Sequence, residues 1–146
     1  MTTPPSVVID ASPAVKAILP AAARGHGIIE RIKDWHQAGM RLVAPEIWLP
    51  EVISVIRQAI YIHILTDEEG QVAIENVFRL GVDIIPSDLD LCRSAIAWAC
   101  RLEQSKAYDG FYLALAERLR SEFWTGDERL LNRARQLGAS WVKTDS

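Results

Sequence analysis

Tyr108-Asp109-Gly110-Phe111-Tyr112-Leu113-Ala114-Leu115-Ala116-Glu117 and, a few residues on, Glu122-Phe123-Trp124-Thr125-Gly126-Asp127 each set an acid beside an apolar segment. In the first run Tyr112, Leu113, Ala116 and Leu119 recur at helical spacing while Gly110 and Ala114 keep one side thin, which predicts a helix from Asp109 to about Arg120. Such a helix can lie close to a sheet. Glu122 to Thr125 is short, aromatic and β-prone, and Gly126-Asp127 leads from it into a new apolar-periodic run. Asp127 therefore falls at a strand-to-helix turn.

The same alternation extends outward in both directions. Ser6-Val7-Val8-Ile9 is a β-branched strand for the middle of a sheet, ending directly at Asp10. Ser12 as N-cap and Pro13 at the first helical position predict a helix to about Leu19. Pro20 to Gly27 reads as a loop, Ile28 to Gln37 as a helix stopped by Gly39, and Arg41 to Ala44 as the second strand. Pro45 to Ile62 carries Val52, Val55, Ile56, Ala59 and Ile60 on one helical face. Pro50 requires that helix to begin near Trp48 or to kink, and the first choice puts Glu51 in its opening turn, where a carboxylate is favoured. Thr66-Asp67-Glu68-Glu69 is a capping box for a helix to about Leu80, with Gly81 as its stop. Val82 to Ile85 is the third strand, and Ser87 caps a helix from Asp88 to Leu102 with Leu91, Ala95, Trp98, Ala99 and Leu102 as its buried stripe. After Asp127 a helix runs to about Leu137, Gly138 stops it, and Ser140 to Lys143 is the fifth strand.

Strands separated by helices, almost without hairpin signals, make an α/β domain with a mainly parallel sheet, here a single domain over residues 1–146. Ligands of open parallel sheets bind beyond the carboxyl ends of the strands, at a switch in strand order. Asp10 and Asp127 follow two such ends, and Asp109 precedes the second by one helix.

The bulk properties agree with a compact enzyme or binding domain. Hydrophobic residues make up 49% of the 146, enough for an ordinary core. No apolar run approaches the ~20 residues of a bilayer span, and Met1-Thr2-Thr3-Pro4-Pro5 lacks the features of a signal peptide, so a cytoplasmic protein is expected. Cys92 and Cys100 lie about 12 Å apart along one predicted helix at ~1.5 Å per residue, too far for a disulfide, and read as small core residues. A net charge of −3 argues against a broad basic nucleic-acid surface but is compatible with a nuclease, since an acidic metal cleft is neutralised by its ions.

Carboxylates gathered within a few ångströms raise one another's pKa unless a cation compensates, and hard oxygen donors select magnesium or manganese. Asp10, Glu51, Asp109 and Asp127 form such a set, pointing to phosphoester hydrolysis or phosphoryl transfer without choosing between them. Each acid also has a plainer reading: Asp10 and Asp127 as helix caps, Glu51 as an exposed first-turn acid.

Val7-Val8-Ile9-Asp10-Ala11-Ser12, Pro45-Glu46-Ile47-Trp48-Leu49-Pro50-Glu51-Val52, Tyr108 to Glu117 and Thr125-Gly126-Asp127-Glu128-Arg129-Leu130 together resemble the PIN-domain family, in particular the VapC-like ribonuclease toxins of toxin-antitoxin pairs. The resemblance spans nearly the whole chain in the family's order. It implies a three-layer α/β/α domain with strand order 3-2-1-4-5 and a magnesium- or manganese-dependent endoribonuclease. By motif, Asp10, Asp109 and Asp127 would be metal ligands, Glu51 would ligate directly or through water, and the Ser12 and Thr125 hydroxyls would stand near the site. Gly110 and Gly126 occupy positions where alanine is common, which bears on activity. Such proteins commonly dimerise and are held inactive by an antitoxin whose C-terminal segment lies in an apolar groove, for which the 20–27 loop, Ile47 and Trp48 are candidates. The family also contains catalytically silent modules that act as scaffolds; retention of all four acids speaks against that alternative. A phosphatase or phosphoacceptor domain is disfavoured because no Asp-x-Asp follows the first strand.

Lys16, Arg57, Arg129 and Arg133 lie within a turn or two of candidate ligands and are possible phosphate contacts, although such charges are more often solvated helix faces. His26, His36 and His63 show no ligand spacing. Trp35, Trp48, Trp98, Trp124 and Trp141 read as core or interface, and Tyr112 as core with access to the cleft.

Overall fold

A computed structural model describes residues 5–19 and 26–145. Strand β1 (Ser6–Ile9) leads into α1 (Ala11–Ile18) and, beyond the undescribed stretch, α2 (His26–Gln37), β2 (Arg41–Pro45), α3 (Trp48–Tyr61) and α4 (Asp67–Arg79). Strand β3 (Asp83–Ile85), α5 (Leu89–Leu102), α6 (Tyr108–Leu119), β4 (Glu122–Trp124), α7 (Glu128–Gln136) and β5 (Val142–Lys143) complete it. The strands form one sheet in the order β3-β2-β1-β4-β5, with every neighbouring pair parallel.

Central β1 explains this order. Its Val7, Val8 and Ile9 are fully buried, as a strand covered on both faces requires. Val8 stands in register with Val43 of β2 on one side and Phe123 of β4 on the other. Phe123 and Trp124 are consecutive and so face opposite sides of the sheet. Phe123 stacks on Tyr112 of α6 with ring centroids 5.3 Å apart, whereas Trp124 meets the edge of Trp35 of α2 at 5.4 Å. Helices thus cover both faces, giving three layers.

Helix α6 is more buried than its spacing predicts. Gly110, Tyr112, Leu113, Ala114, Leu115 and Ala116 are all buried, because α6 lies between the sheet and α5. Gly110 permits the contact: a Cβ there would fall 2.2 Å from the carbonyl oxygen of Ala95. The predicted stripe of α5 is buried as expected, and the stop glycines Gly39, Gly81 and Gly138 all take positive φ.

Several local expectations need correction. Asp10, not Ser12, caps α1, and Asp88, not Ser87, caps α5, since in each case the aspartate side chain accepts the helix N–H. Cys92 and Cys100 are exposed free thiols, because they lie off the buried stripe of α5. Val55 is 36% exposed at the margin of the α3 stripe. Trp48 is buried in the core and cannot line an outer groove. The 20–27 loop lies mostly outside the described residues, and His26 and Gly27 already belong to α2. Helix α3 begins at Trp48 and continues to Tyr61, so Glu51 does stand in its first turn, and the Thr66–Glu69 capping box is formed on both sides.

Candidate active site

The chain runs from β1 to β2 and β3 in one direction, then returns to place β4 and β5 on the other side of β1. The switch in order is therefore at β1 and β4, and both strands end in residues with oxygen side chains. Asp10 continues the ladder through its N–H to the carbonyl of Trp124 at 2.9 Å. Its Oδ1 accepts from the N–H of Ala11 at 2.8 Å and its Oδ2 from the Thr125 hydroxyl at 2.7 Å. Thr125, only 1% exposed, also accepts the N–H of Asp127 through Oγ1 at 3.0 Å. Ser12 accepts the N–H of Gly126 at 3.2 Å. The two hydroxyls thus fasten the β4–α7 turn to the start of α1.

The other acids reach this edge from helix starts. Glu51 lies in the first turn of α3, after β2, and its Oε1 accepts from the Tyr112 hydroxyl at 2.8 Å. Asp109 lies in the first turn of α6, and its Oδ2 accepts from Nε2 of Gln104 at 2.9 Å. Asp127 caps α7, its Oδ1 taking the N–H groups of Arg129 and Leu130 at 3.0 and 3.1 Å. The cap readings of Asp10 and Asp127 are therefore correct, and they occupy only part of each carboxylate's accepting capacity.

Electrostatics link the four acids. Burial raises the Asp10 carboxyl from 3.8 to about 6 against the lowering effect of its Thr125 and Ala11 hydrogen bonds, and the charges of Glu51 and Asp109 raise it further. Glu51 is raised by burial and by Asp109, with its Tyr112 bond acting the other way. Asp109 is raised by burial and by Asp127, opposed by Gln104. The Tyr112 hydroxyl, buried and facing Asp10, Glu51 and Asp109, is pushed far above its usual range and stays a donor. Among the described residues no lysine or arginine forms an ion pair with any of the four acids. Nor do three or more His, Cys, Asp or Glu side chains among the described residues stand close enough together to hold a metal ion between them.

The basic candidates divide. Lys16 pairs with Asp145 at 3.9 Å. Arg57 lies over the ring of Tyr61, 5.6 Å from its centroid, towards the far end of α3 from Glu51. Arg133 holds the end of α5 through Glu103 at 3.4 Å and the Arg101 carbonyl at 3.4 Å. The Arg129 side chain is exposed in the first turn of α7, two residues past the Asp127 cap. The sequence reading missed Gln104; its place five residues before Asp109, in the loop that opens α6, was the available signal. The tryptophans Trp35, Trp48, Trp98 and Trp124 are core residues, as expected. Among the described residues no helix is long and apolar enough to cross a membrane.

Comparison with known proteins gives matches over almost the whole chain. Ribonuclease VapC12 of Mycobacterium tuberculosis is 36% identical over 124 residues, covering 85% of this chain and 88% of the relative. VapBC2 from Rickettsia felis, solved bound to a DNA fragment from its promoter, has a TM-score of 0.66 at 12% identity, covering 95% of this chain and 96% of that one. VapC20 of Mycobacterium tuberculosis, described as a Sarcin-Ricin loop cleaving toxin, has a TM-score of 0.63 at 14% identity, covering 86% and 93%. No family model matches the sequence.

Proposed function

Since the chain belongs to the PIN-domain family of VapC-like ribonucleases, we propose that it is a magnesium- or manganese-dependent endoribonuclease, the toxin of a toxin-antitoxin pair. The observation that carries the reading is the gathering of Asp10, Glu51 and Asp109 at the carboxyl edge of the sheet, each raised chiefly by burial and further by a neighbouring acid, with no ion-pair partner among the described residues. A cluster of this kind is stabilised when a divalent cation replaces the missing positive charge.

The donor chemistry fits. All four side chains offer hard oxygen, and an open arrangement suits magnesium, which retains several waters and is held by one or two carboxylates together with a phosphate oxygen. Asp10, Asp109 and Asp127 would hold it, with Glu51 reaching it directly or through water. When bound, such an ion supplies positive charge at the phosphoryl oxygens and makes water a better nucleophile at neutral pH.

The residues of the chain set the rest. Tyr112 fixes one oxygen of Glu51 and leaves Oε2 to orient the attacking water or take its proton, for which a carboxyl raised above its ordinary value is better suited. Thr125 and Ala11 hold both oxygens of Asp10 in a set direction. Ser12 and Thr125 keep the Asp127 turn against them. The family further implies a protein antitoxin, association into dimers and action on RNA in the cytoplasm.

Purified protein incubated with cellular RNA tests this reading. Cleavage that needs magnesium or manganese, with sequenced ends at defined positions, is expected, and Asp10→Asn or Asp109→Asn should reduce it on the order of 100-fold or more. Equal rates for parent and variants would overturn the assignment. Cleavage by the parent excludes the silent scaffold.

A further inference from the structure

Beside the acids, two cavities share a wall. One, of about 500 Å³, is lined by Ile47, Pro50, Glu51, Ser54, Val55 and Tyr108. The other, of about 520 Å³, is lined by Glu51, Gln104, Ser105, Lys106, Tyr108 and Asp109. Glu51 and Tyr108 belong to both. The first is largely apolar, with Ser54, Glu51 and the Tyr108 phenol as its polar groups; the second is polar and holds Lys106, which forms no ion pair among the described residues.

Among the exposed large side chains, Tyr108 is set apart by its place, since it lines both cavities beside Glu51 and Asp109. It is the first residue of α6, its neighbours Gly110 and Tyr112 are buried, yet Tyr108 itself is 57% exposed. An aromatic ring left open to solvent immediately before a site acid costs apolar hydration and gains no packing. A flat π-face beside an apolar hollow is what a nucleobase stacks on.

We propose that Tyr108, with Ile47, Pro50 and Val55, forms a stacking subsite for one unpaired nucleobase, and that Lys106 in the adjoining cavity holds a neighbouring backbone phosphate. The inference rests on the ribonuclease reading and adds two residues that hold the substrate on either side of the acids. A strand so placed runs past Glu51, which lines both cavities, and Asp109, which lines the second, so the scissile phosphodiester lies at the acids. Ser54 offers the apolar cavity one polar contact with a base edge. Stacking needs the base out of a duplex, which selects loops and ends over paired RNA. A peptide segment would suit an apolar groove too, but the free cation of Lys106 in the adjoining cavity favours a polyanion.

Binding by the Asp10→Asn protein separates this inference from the failure of catalysis. The probes are fluorescein-labelled uridine oligoribonucleotides of about eight residues and matching ribose-phosphate strands without bases. The base-bearing strand should bind at least about 10-fold more tightly. Tyr108→Ala should abolish that preference, Tyr108→Phe should keep it, and Lys106→Ala should weaken both strands alike and reduce the slope of log K against log salt by about one. An unchanged preference in Tyr108→Ala, or equal binding of the two strands by the Tyr108-containing protein, overturns the subsite. So does loss of a protein partner in Tyr108→Ala with RNA binding intact. Because this readout needs no cleavage, absence of ribonuclease activity in the parent would sink the enzymatic reading while leaving the subsite to be decided by binding.

Discussion

The hydroxyl of Thr125 donates to Oδ2 of Asp10 across 2.7 Å, joining the ends of β4 and β1 although 115 residues separate them in the chain. The Thr125 Oγ1 in turn accepts the N–H of Asp127. Thr125→Val keeps the shape but leaves the Asp10 oxygen and the Asp127 N–H without this partner. Leaving a buried polar group unpaired costs ~1–3 kcal/mol, so the melting temperature should fall by roughly 4–10 °C for a domain of this size. Thr125→Ser retains the hydroxyl and should lose much less. Melting temperatures that agree within about a degree for the two variants would remove Thr125 from its bridging role.

That bond also marks the boundary of what the sequence discloses. The β-branched run at Ser6–Ile9 and the aromatic run at Glu122–Trp124 could be read as strands because each is a local pattern. Pro50 even located the start of α3, and with it Glu51 in the first turn, since proline is tolerated only near a helix start. Which side chains meet is a different matter. Ser12 looked like a cap because of its position before Pro13, yet its hydroxyl serves Gly126 from another element, and Asp10 caps α1 instead. Composition could not assign the thiols of Cys92 and Cys100 to the open side of α5, because a cysteine suits either side. The four acids were legible through their spacing relative to strand ends and through family resemblance. Gln104 and the Tyr112–Glu51 bond depend on how loops and α6 settle, which no periodicity encodes.

Gly110 and Gly126 should respond differently to alanine. A Cβ at Gly110 would lie 2.2 Å from the Ala95 carbonyl oxygen and 3.0 Å from its carbon, both backbone atoms of the packed helix α5. Helix propensity favours alanine over glycine by about 1 kcal/mol, but overpacking costs ~1–3 kcal/mol and here falls on backbone that must move. Gly110→Ala should therefore be destabilising on balance. At Gly126 the nearest atom is Oγ of Ser12 at 2.7 Å, a side chain that can rotate away at the expense of its hydrogen bond. Urea denaturation should show a clear loss for Gly110→Ala and a smaller one for Gly126→Ala; the reverse order would refute the packing account of α5 against α6.

Tyr112→Phe removes one oxygen while keeping the ring stacked on Phe123. The loss of a single hydrogen bond should cost ~1 kcal/mol or less of stability. Its effect on Glu51 is directional. The Tyr112 bond lowers the Glu51 carboxyl against burial and Asp109, so removing it raises that carboxyl further. If Glu51 acts as the base, the acidic limb of the pH-rate profile moves to higher pH, and kcat falls several-fold with little change in KM. A limb that stays in place would show that Glu51 does not act as the base.

The pH dependence of stability follows from the raised carboxyls. Asp10 rises from 3.8 to about 6, and Glu51 and Asp109 move the same way. In the window between the unfolded and folded values the native state binds more protons than the unfolded state, so stability falls as pH rises through it. For Asp10 alone the shift corresponds to roughly 3 kcal/mol at most. Metal-free protein should melt at progressively lower temperature from about pH 4 to pH 7, after allowance for other groups. Manganese binds the deprotonated acids, so its stabilising effect should grow over the same interval. A manganese effect independent of pH would mean that the ion binds elsewhere.

Asp10→Asn should expose the conflict between stability and function at this site. At pH 7.5 the ionised Asp10 carries the cost of its burial and, to a lesser degree, of the Glu51 and Asp109 charges; asparagine removes both, its amide oxygen can still accept the N–H of Ala11, and its NH2 can donate to the Thr125 oxygen in place of the bond that the Thr125 hydroxyl now gives. In EDTA the variant should therefore melt at the same temperature as the parent or higher, despite its loss of ribonuclease activity. In manganese the order should invert, because the parent gains a ligand-linked stabilisation that the variant largely lacks. A purely structural cap behaves otherwise: if Asp10 served only α1, asparagine, an equally good N-cap, would leave both melting temperatures and the manganese response close to those of the parent. The sign of the difference with and without the ion thus separates a carboxylate kept for a cation from one kept for a helix.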